Sequence, residues 1–169
     1  MDGKIYKFFA EDHRRLEMLL EKAFSQPDKI NDSDYAEFRG GLLRHIALEE
    51  KILLPSMQHD GKPYAAAAQL RLDHGAIAAL LVLPPSIAVK NVLQWILMQH
   101  NSREEGIPGL YHDCESAFVH SSDTILNKVH QYPDVPMMPY NITPRAMDAA
   151  RRAVARAGYN FDRLTGNNL

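Results

Sequence analysis

The chain has 169 residues, 46% of them apolar and 24% charged, enough for one domain with a substantial core. Its formal net charge of -2 argues against nucleic acid as the main partner, because phosphate recognition needs a basic surface. The single cysteine, Cys114, permits no internal disulfide and fits a reducing compartment, so it reads as a passive helix residue. The longest apolar run, AIAALLVL (residues 76–83), is far shorter than the ~20 residues that cross a bilayer. The opening MDGKIYKFFAEDH carries no apolar export segment, so a cytoplasmic protein with neither nucleic-acid nor membrane partners is expected.

Helical periodicity runs throughout, without alternation of the β type. A first helix is expected from about Lys4 to Phe24, broken by Pro27 and the polar stretch after it. A second begins near Asp34, with Glu37 completing a capping box, and runs to about Gln58, where HDGKP supplies the stop. A third covers about Pro63 to Val82. Ser86 caps a fourth that reaches at least Glu105, before Pro108 ends or kinks it. Short turns between long helices make neighbours antiparallel, which predicts an all-α, up-down-up-down four-helix bundle.

Residues 110–132 are expected to resume as helix, and PDVPMMPYN to cross the surface as an extended connector. Thr143 and Pro144 open a last helix that stops at Gly158. The organisation expected is thus a bundle over residues 1–130. Residues 131–169 then form a connector and an extra C-terminal helix, packed on the bundle or extending from it. That helix puts Met147, Val154 and Ala157 on one face and Arg151, Arg152 and Arg156 largely away from it. Docking with solvated arginines is the plain reading; a homodimer or partner-protein contact is the alternative.

One polar phrase occurs twice. EDHRRLEMLL (11–20) is echoed by LDHGAIAALL (72–81), and HIALEEKILLP (45–55) by HNSREEGIP (100–108). At helical spacing His13 falls in the row Tyr6, Phe9, Leu16, Leu20. His45 and Glu49 fall with Phe38, Leu42 and Ile52, and His74 with Ala67, Leu70, Ile77 and Leu81. His100 and Glu104 fall with Leu93, Leu97 and Ile107. Each row is the seam a bundle helix turns toward its neighbours.

Core carboxylates without partners cost several kcal/mol or take up a proton. A central cation removes the problem, and His and Glu four apart share one helix face from which both reach it. A lone core histidine is usually a hydrogen-bonded side chain, but six such residues on four helices are poorly explained that way. Imidazole and carboxylate without thiolate suit iron or another first-row metal, and six donors exceed one closed zinc site. Two metals, each taking two histidines and sharing Glu49 and Glu104, fit the count.

The remaining candidates rank lower. His59 falls in a turn, while His112, His120 and His130 follow the break and read as surface or loop residues, although Tyr111 or His112 can fold back. Glu50 and Glu105 read as solvent-facing or supporting residues. Asp12 and Asp73 read as helix-surface residues, with a supporting role open.

His13, His45 with Glu49, His74, and His100 with Glu104 together resemble the motif of hemerythrin-like (HHE cation-binding) domains over roughly residues 5–110. The resemblance implies a four-helix bundle around a non-haem centre of two iron ions. It also implies a role in binding, sensing or reacting with dioxygen, peroxide or nitric oxide, or in iron and redox homeostasis. The family's oxygen carriers have a further histidine one turn away on the third helix; here Leu70 and Ala78 flank His74. They also use His-x-x-x-x-Asp on the fourth helix, whereas the spacing here favours Glu104 over Glu105. These departures point to reaction or sensing rather than oxygen storage, with Glu17 one candidate to fill the vacated position. A metal-binding or sensing protein is expected more than a dedicated enzyme. The alternatives are a di-iron oxidoreductase or peroxide-decomposing enzyme and, from another class, a metal-free interaction module.

Overall fold

The computed structural model describes residues 3–166, so the outermost ends of the two regions expected from the sequence lie outside the described residues. In chain order the helices are α1 (Lys4–Ala23), α2 (Asp32–Leu48), a π-helical turn (Glu49–Leu53) and α3 (Leu54–Ser56). They continue with α4 (Ala67–Leu81), α5 (Ile87–Glu105), α6 (Leu110–Ala117), α7 (Ser122–Gln131), α8 (Pro144–Arg156) and α9 (Phe161–Leu164). Among the described residues there is no β-strand, and no helix is long and apolar enough to cross a membrane.

Local chemistry explains most helix ends. Asn31 caps α2 by accepting from the Ser33 and Asp34 amides, which starts the helix before the Asp34 boundary expected from the sequence. Ser86 caps α5 by accepting from Val89, and Thr143 caps α8 by accepting from Ala146, with Pro144 at the first helical position. Gly3 has no side chain with which to cap α1. Glu115 of α6 does so instead, its Oε2 accepting from the Ile5 amide at 2.9 Å and the Tyr6 amide at 3.3 Å.

Two further boundaries and one seam position differ from expectation. The third long helix starts at Ala67 rather than Pro63, because the Tyr64 carbonyl closes a turn with the Ala67 amide and the Tyr64 hydroxyl is drawn to Asp113 at 2.8 Å. The second departs from α geometry at Glu49: the Leu54 amide bonds to the Glu49 carbonyl, five residues back. Pro55 donates no bond and its ring crowds the carbonyl of Lys51, a conflict that a widened turn relieves. Finally, α5 stops at Glu105, so Ile107, expected on the apolar seam, follows the loop outward and is 82% exposed.

Two apolar clusters fill the interior. One contains Ile5, Phe9, Leu48, Leu53, Leu70, Leu110, Tyr111 and Val129. The other contains Leu16, Leu20, Phe38, Leu42, Ile77, Leu80, Val92, Ile96 and Val154. Helices α1 and α4 each pass from the first cluster to the second, α2 passes from the second to the first, and α5 packs in the second, the chain re-entering the first at Leu110 of α6. Between the clusters each helix contributes polar residues, all of them buried: His13, His45 with Glu49, His74, and His100 with Glu104.

The connector lies on this assembly. Arg39 of α2 donates to the Met138 carbonyl at 2.6 Å, Arg44 donates to the Val129 carbonyl at 3.1 Å, and the Asn141 amide bonds to the Val82 carbonyl at 2.9 Å. The chain is thereby delivered to the end of α4, against which α8 packs. Ala150, Ala153, Val154 and Ala157 are buried on the docked face, Met147 is half-buried, and Arg151, Arg152 and Arg156 are exposed. This is the docked arrangement with solvated arginines.

Candidate metal centre

The polar layer contains two sets of donor atoms, each set lying within 4.8 Å of one another. One set is His13, His45, Glu49 and Glu104; the other is Glu49, His74, His100 and Glu104. The structure therefore brings together all six residues singled out from the sequence, and both glutamates belong to both sets. Their two oxygens face opposite ways. Glu49 turns Oε1 to His45 Nε2 at 3.2 Å and Oε2 to His74 Nε2 at 3.1 Å. Glu104 turns Oε2 to His13 Nε2 at 3.4 Å and Oε1 to His100 Nε2 at 3.2 Å.

Glu49 Oε2 and Glu104 Oε1 are close enough to imidazole for charge attraction, yet neither accepts a directed hydrogen bond. Buried carboxylate oxygens without such a bond are costly. A cation in each set would use them, and the imidazole–carboxylate donor set suits such an ion. The residues thus fit a metal pair.

The four imidazoles are aimed by a ring of outer carboxylates. Asp12 of α1 holds His45 Nδ1 at 2.8 Å, and Glu50 of the π-turn holds His74 Nδ1 at 2.7 Å. Asp73 of α4 faces His100 Nδ1 at 3.4 Å, and Glu105 of α5 holds His13 Nδ1 at 2.7 Å. Each helix hands an acid to the histidine of the next, and the last returns to the first. With Nδ1–H directed to its carboxylate, an imidazole presents Nε2 inward as the donor. Of the two readings open from the sequence, solvent-facing or supporting for Glu50 and Glu105 and helix-surface or supporting for Asp12 and Asp73, the supporting one holds for all four. Adjacency to the ligand places these acids on the flank of the seam, where the neighbouring helix passes, rather than on the outer face. Each acid in turn meets an arginine: Asp12 with Arg15 at 2.8 Å, Glu50 with Arg71 at 3.2 Å, Asp73 with Arg103 at 2.9 Å, and Glu105 with Arg14 at 3.0 Å.

Tyr111 does fold back. Its fully buried hydroxyl donates a very short bond to Glu49 Oε1 and lies 3.0 Å from Glu104 Oε2, 3.0 Å from His13 Nε2 and 3.1 Å from His45 Nε2. Its ring stacks on Phe9 with centroids 5.2 Å apart. The chain break at Pro108 is the only sequence feature that hints at such a return. Of the other candidates, His59, His112 and His120 are exposed, and His130 is exposed with its ring edge against Phe8 at 5.5 Å. Glu17 is exposed and accepts from Asn101 Nδ2 at 3.1 Å, so it does not fill the place beside Leu70 and Ala78. Cys114 is buried, and burial pushes its thiol up to about 12.

Electrostatics follow from this packing. Burial alone would lower the histidine pKa values, but the carboxylates outweigh it. Glu49 and Asp12 bring His45 up to about 9, Glu49 and Glu50 bring His74 up to about 9, and Glu104 and Asp73 bring His100 up to about 10. Burial pushes Glu49 and Glu104 upward, and in Glu104 the neighbouring Glu49 adds to it; the imidazoles prevail and hold both groups below the usual carboxylate range. Burial and the same two glutamates push the Tyr111 phenol well above its ordinary value, so it keeps its proton. The metal-free layer is thus a closed set of ion pairs, from which a metal displaces protons.

No family model, no curated protein and no solved structure matches the chain.

Proposed function

We propose that the two donor sets hold a pair of iron ions and that the chain is a hemerythrin-like protein. Its centre would bind, sense or react with dioxygen, peroxide or nitric oxide, or serve iron and redox homeostasis. The observation that carries the reading is the disposition of Glu49 and Glu104, each with one oxygen toward either pair of histidines. The passage of α1 and α4 from the first apolar cluster to the second, and of α2 the opposite way, supports an up-down-up-down bundle around the centre.

When bound, the iron pair would supply the electrons for chemistry with a small oxygen- or nitrogen-centred ligand. The protein's part is to hold and shield it. His13 and His45 would hold one ion and His74 and His100 the other, with both glutamates shared. The outer carboxylates keep each Nε2 inward, and burial of all six side chains excludes bulk water. Tyr111 donates a hydrogen bond to Glu49 beside the first pair of histidines. Among the described residues no hydroxyl is hydrogen-bonded to His74 or His100, whereas Tyr111 lies against both histidines of the first pair. Leu70 and Ala78, where the oxygen carriers have a further histidine one turn from His74, favour reaction or sensing over reversible oxygen storage and keep peroxide decomposition as the second reading.

Anaerobic loading with iron(II) and metal analysis test the proposal. The expected result is one iron per donor set, with His74→Ala losing the iron of its own set. Full loading of the His45→Ala, Glu49→Ala double variant would overturn the assignment. Sustained hydrogen peroxide turnover favours the enzyme reading; a stable, slowly oxidising complex with dioxygen contradicts both.

A further inference from the structure

Asp73 differs from the other three outer carboxylates. Asp12, Glu50 and Glu105 are each about a fifth exposed, and besides its histidine each meets an arginine of its own or a neighbouring helix. Asp73 is fully buried and uses both oxygens twice. Oδ1 accepts from Gln69 Nε2 at 3.0 Å and from the Tyr159 hydroxyl at 3.1 Å. Oδ2 accepts from Arg103 Nη1 at 2.9 Å and faces His100 Nδ1 at 3.4 Å.

Apart from His100, every donor that fixes Asp73 is tied to the C-terminal segment. Tyr159 belongs to it, Arg103 Nη1 also donates to the Tyr159 hydroxyl at 3.0 Å, and Gln69 Nε2 also donates to the Ala157 carbonyl at 3.1 Å. The position of Tyr159 is itself set by the end of α8. Gly158 takes φ 93°, the Gly158 amide bonds to the Ala155 carbonyl, and the Tyr159 amide bonds to the Val154 carbonyl. This is a Schellman closure, which needs a left-handed residue where glycine stands and turns the next side chain back across the helix.

We infer that the C-terminal segment, residues 144–164, is a positioning element of the His74–His100 set. Tyr159, with Arg103 and Gln69, fixes Asp73 against His100, so docking of the segment and metal binding at that set stabilise each other. The inference rests on the metal reading above. Tyr159 touches no proposed ligand and is a positioning residue. Because coupling between two events is reciprocal, whatever releases the segment weakens the second metal, and the second metal tightens the segment. Among the described residues the His13–His45 set has no such link; its outer acids are fixed within α1 and across to α5.

The test uses the full chain and Tyr159→Phe, which keeps the ring and removes the hydroxyl. Anaerobic iron(II) titration should show the first equivalent unchanged and the second bound about tenfold more weakly. Amide exchange across residues 150–164 should slow by about tenfold on iron loading in the parent chain and by clearly less in the variant. A merely structural role for Tyr159 would speed exchange equally with and without iron. Gln69→Leu, which cuts the tie to Ala157, reads the same coupling should Tyr159→Phe not fold. Wild-type affinity for both equivalents in the variants, or exchange indifferent to iron in the parent chain, overturns the inference. A parent chain that takes up no iron at all overturns the metal reading, and the coupling with it.

Discussion

The two donor sets are built from one phrase used twice, yet they are finished differently. In both, Asp-His on one helix and His-x-x-x-Glu-Glu on the next supply two imidazoles, one shared carboxylate and two aiming acids. The imidazole pairs are equally spaced, with centroids 4.6 Å apart for His13 and His45 and 4.7 Å for His74 and His100, but the rings meet at 40° in the first and 69° in the second. The first set is then closed by a phenol, Tyr111, from the helix that follows Pro108. Among the described residues the second receives no hydroxyl; one of its two aiming acids, Asp73, is gripped instead by Tyr159 from the C-terminal segment. Repetition thus makes a symmetric frame, and the segments outside the repeat make its two positions unequal. The first carries a buried phenol against both its histidines, and the second is linked to the C-terminal segment.

The shared carboxylates give the largest expected effect. Glu49→Gln keeps the shape and removes the charge that both sets use, so both metals should be lost by more than about 100-fold in affinity, as read by metal analysis. Loss of only one equivalent would break the picture of a shared ligand.

Removing the metal exposes a pH dependence next in size. His45, His74 and His100 have folded pKa values raised above their unfolded value. The stability they add to the metal-free protein is fully present below about pH 6.5, and it is lost as pH rises through about 9 and, for His100, about 10. Glu49 and Glu104, held low, add stability above about pH 4.5 that is lost on acidification. Melting curves of the metal-free protein should therefore peak between these limits. Iron affinity should rise with pH, because every ligating imidazole must shed a proton. A melting temperature flat from pH 6 to 10 without metal would contradict the ion-paired layer.

Tyr111→Phe tests what makes the first set distinct. It withdraws the hydroxyl donor from Glu49 and Glu104 and should destabilise the metal-free protein by about 1–3 kcal/mol in denaturant unfolding. Both iron equivalents should still bind, with only the first altered. Asp12→Asn should weaken the His13–His45 equivalent about tenfold and leave the other alone, and Asp73→Asn should do the reverse. The smallest change is Arg71→Ala, which removes a half-exposed partner of Glu50 and should shift stability by less than about 0.5 kcal/mol.

Much of this was legible in the sequence because a seam position is a strong statement. His13, His45, Glu49, His74, His100 and Glu104 stand where leucine would otherwise stand, and helical spacing alone puts them on inner faces. For the outer acids the sequence leaves exposure and support both open, because helical angle alone does not say what passes beside the seam. Residues next to a seam lie about 100° around the helix, which in a bundle is the neighbouring helix rather than water. Ile107 was misplaced because the seam was extended past the last helical residue. Tyr111 reaches the centre, and Tyr159 reaches the outer acid Asp73, through chain returns after Pro108 and Gly158, and no spacing rule places a residue across such a turn.

Mössbauer spectroscopy of the iron-loaded protein tests the central claim of a bridged, unequal pair most directly. Two quadrupole doublets of equal area, with the antiferromagnetic coupling of adjacent irons, are expected. A single doublet without coupling, from one isolated iron or from irons held apart, would contradict it.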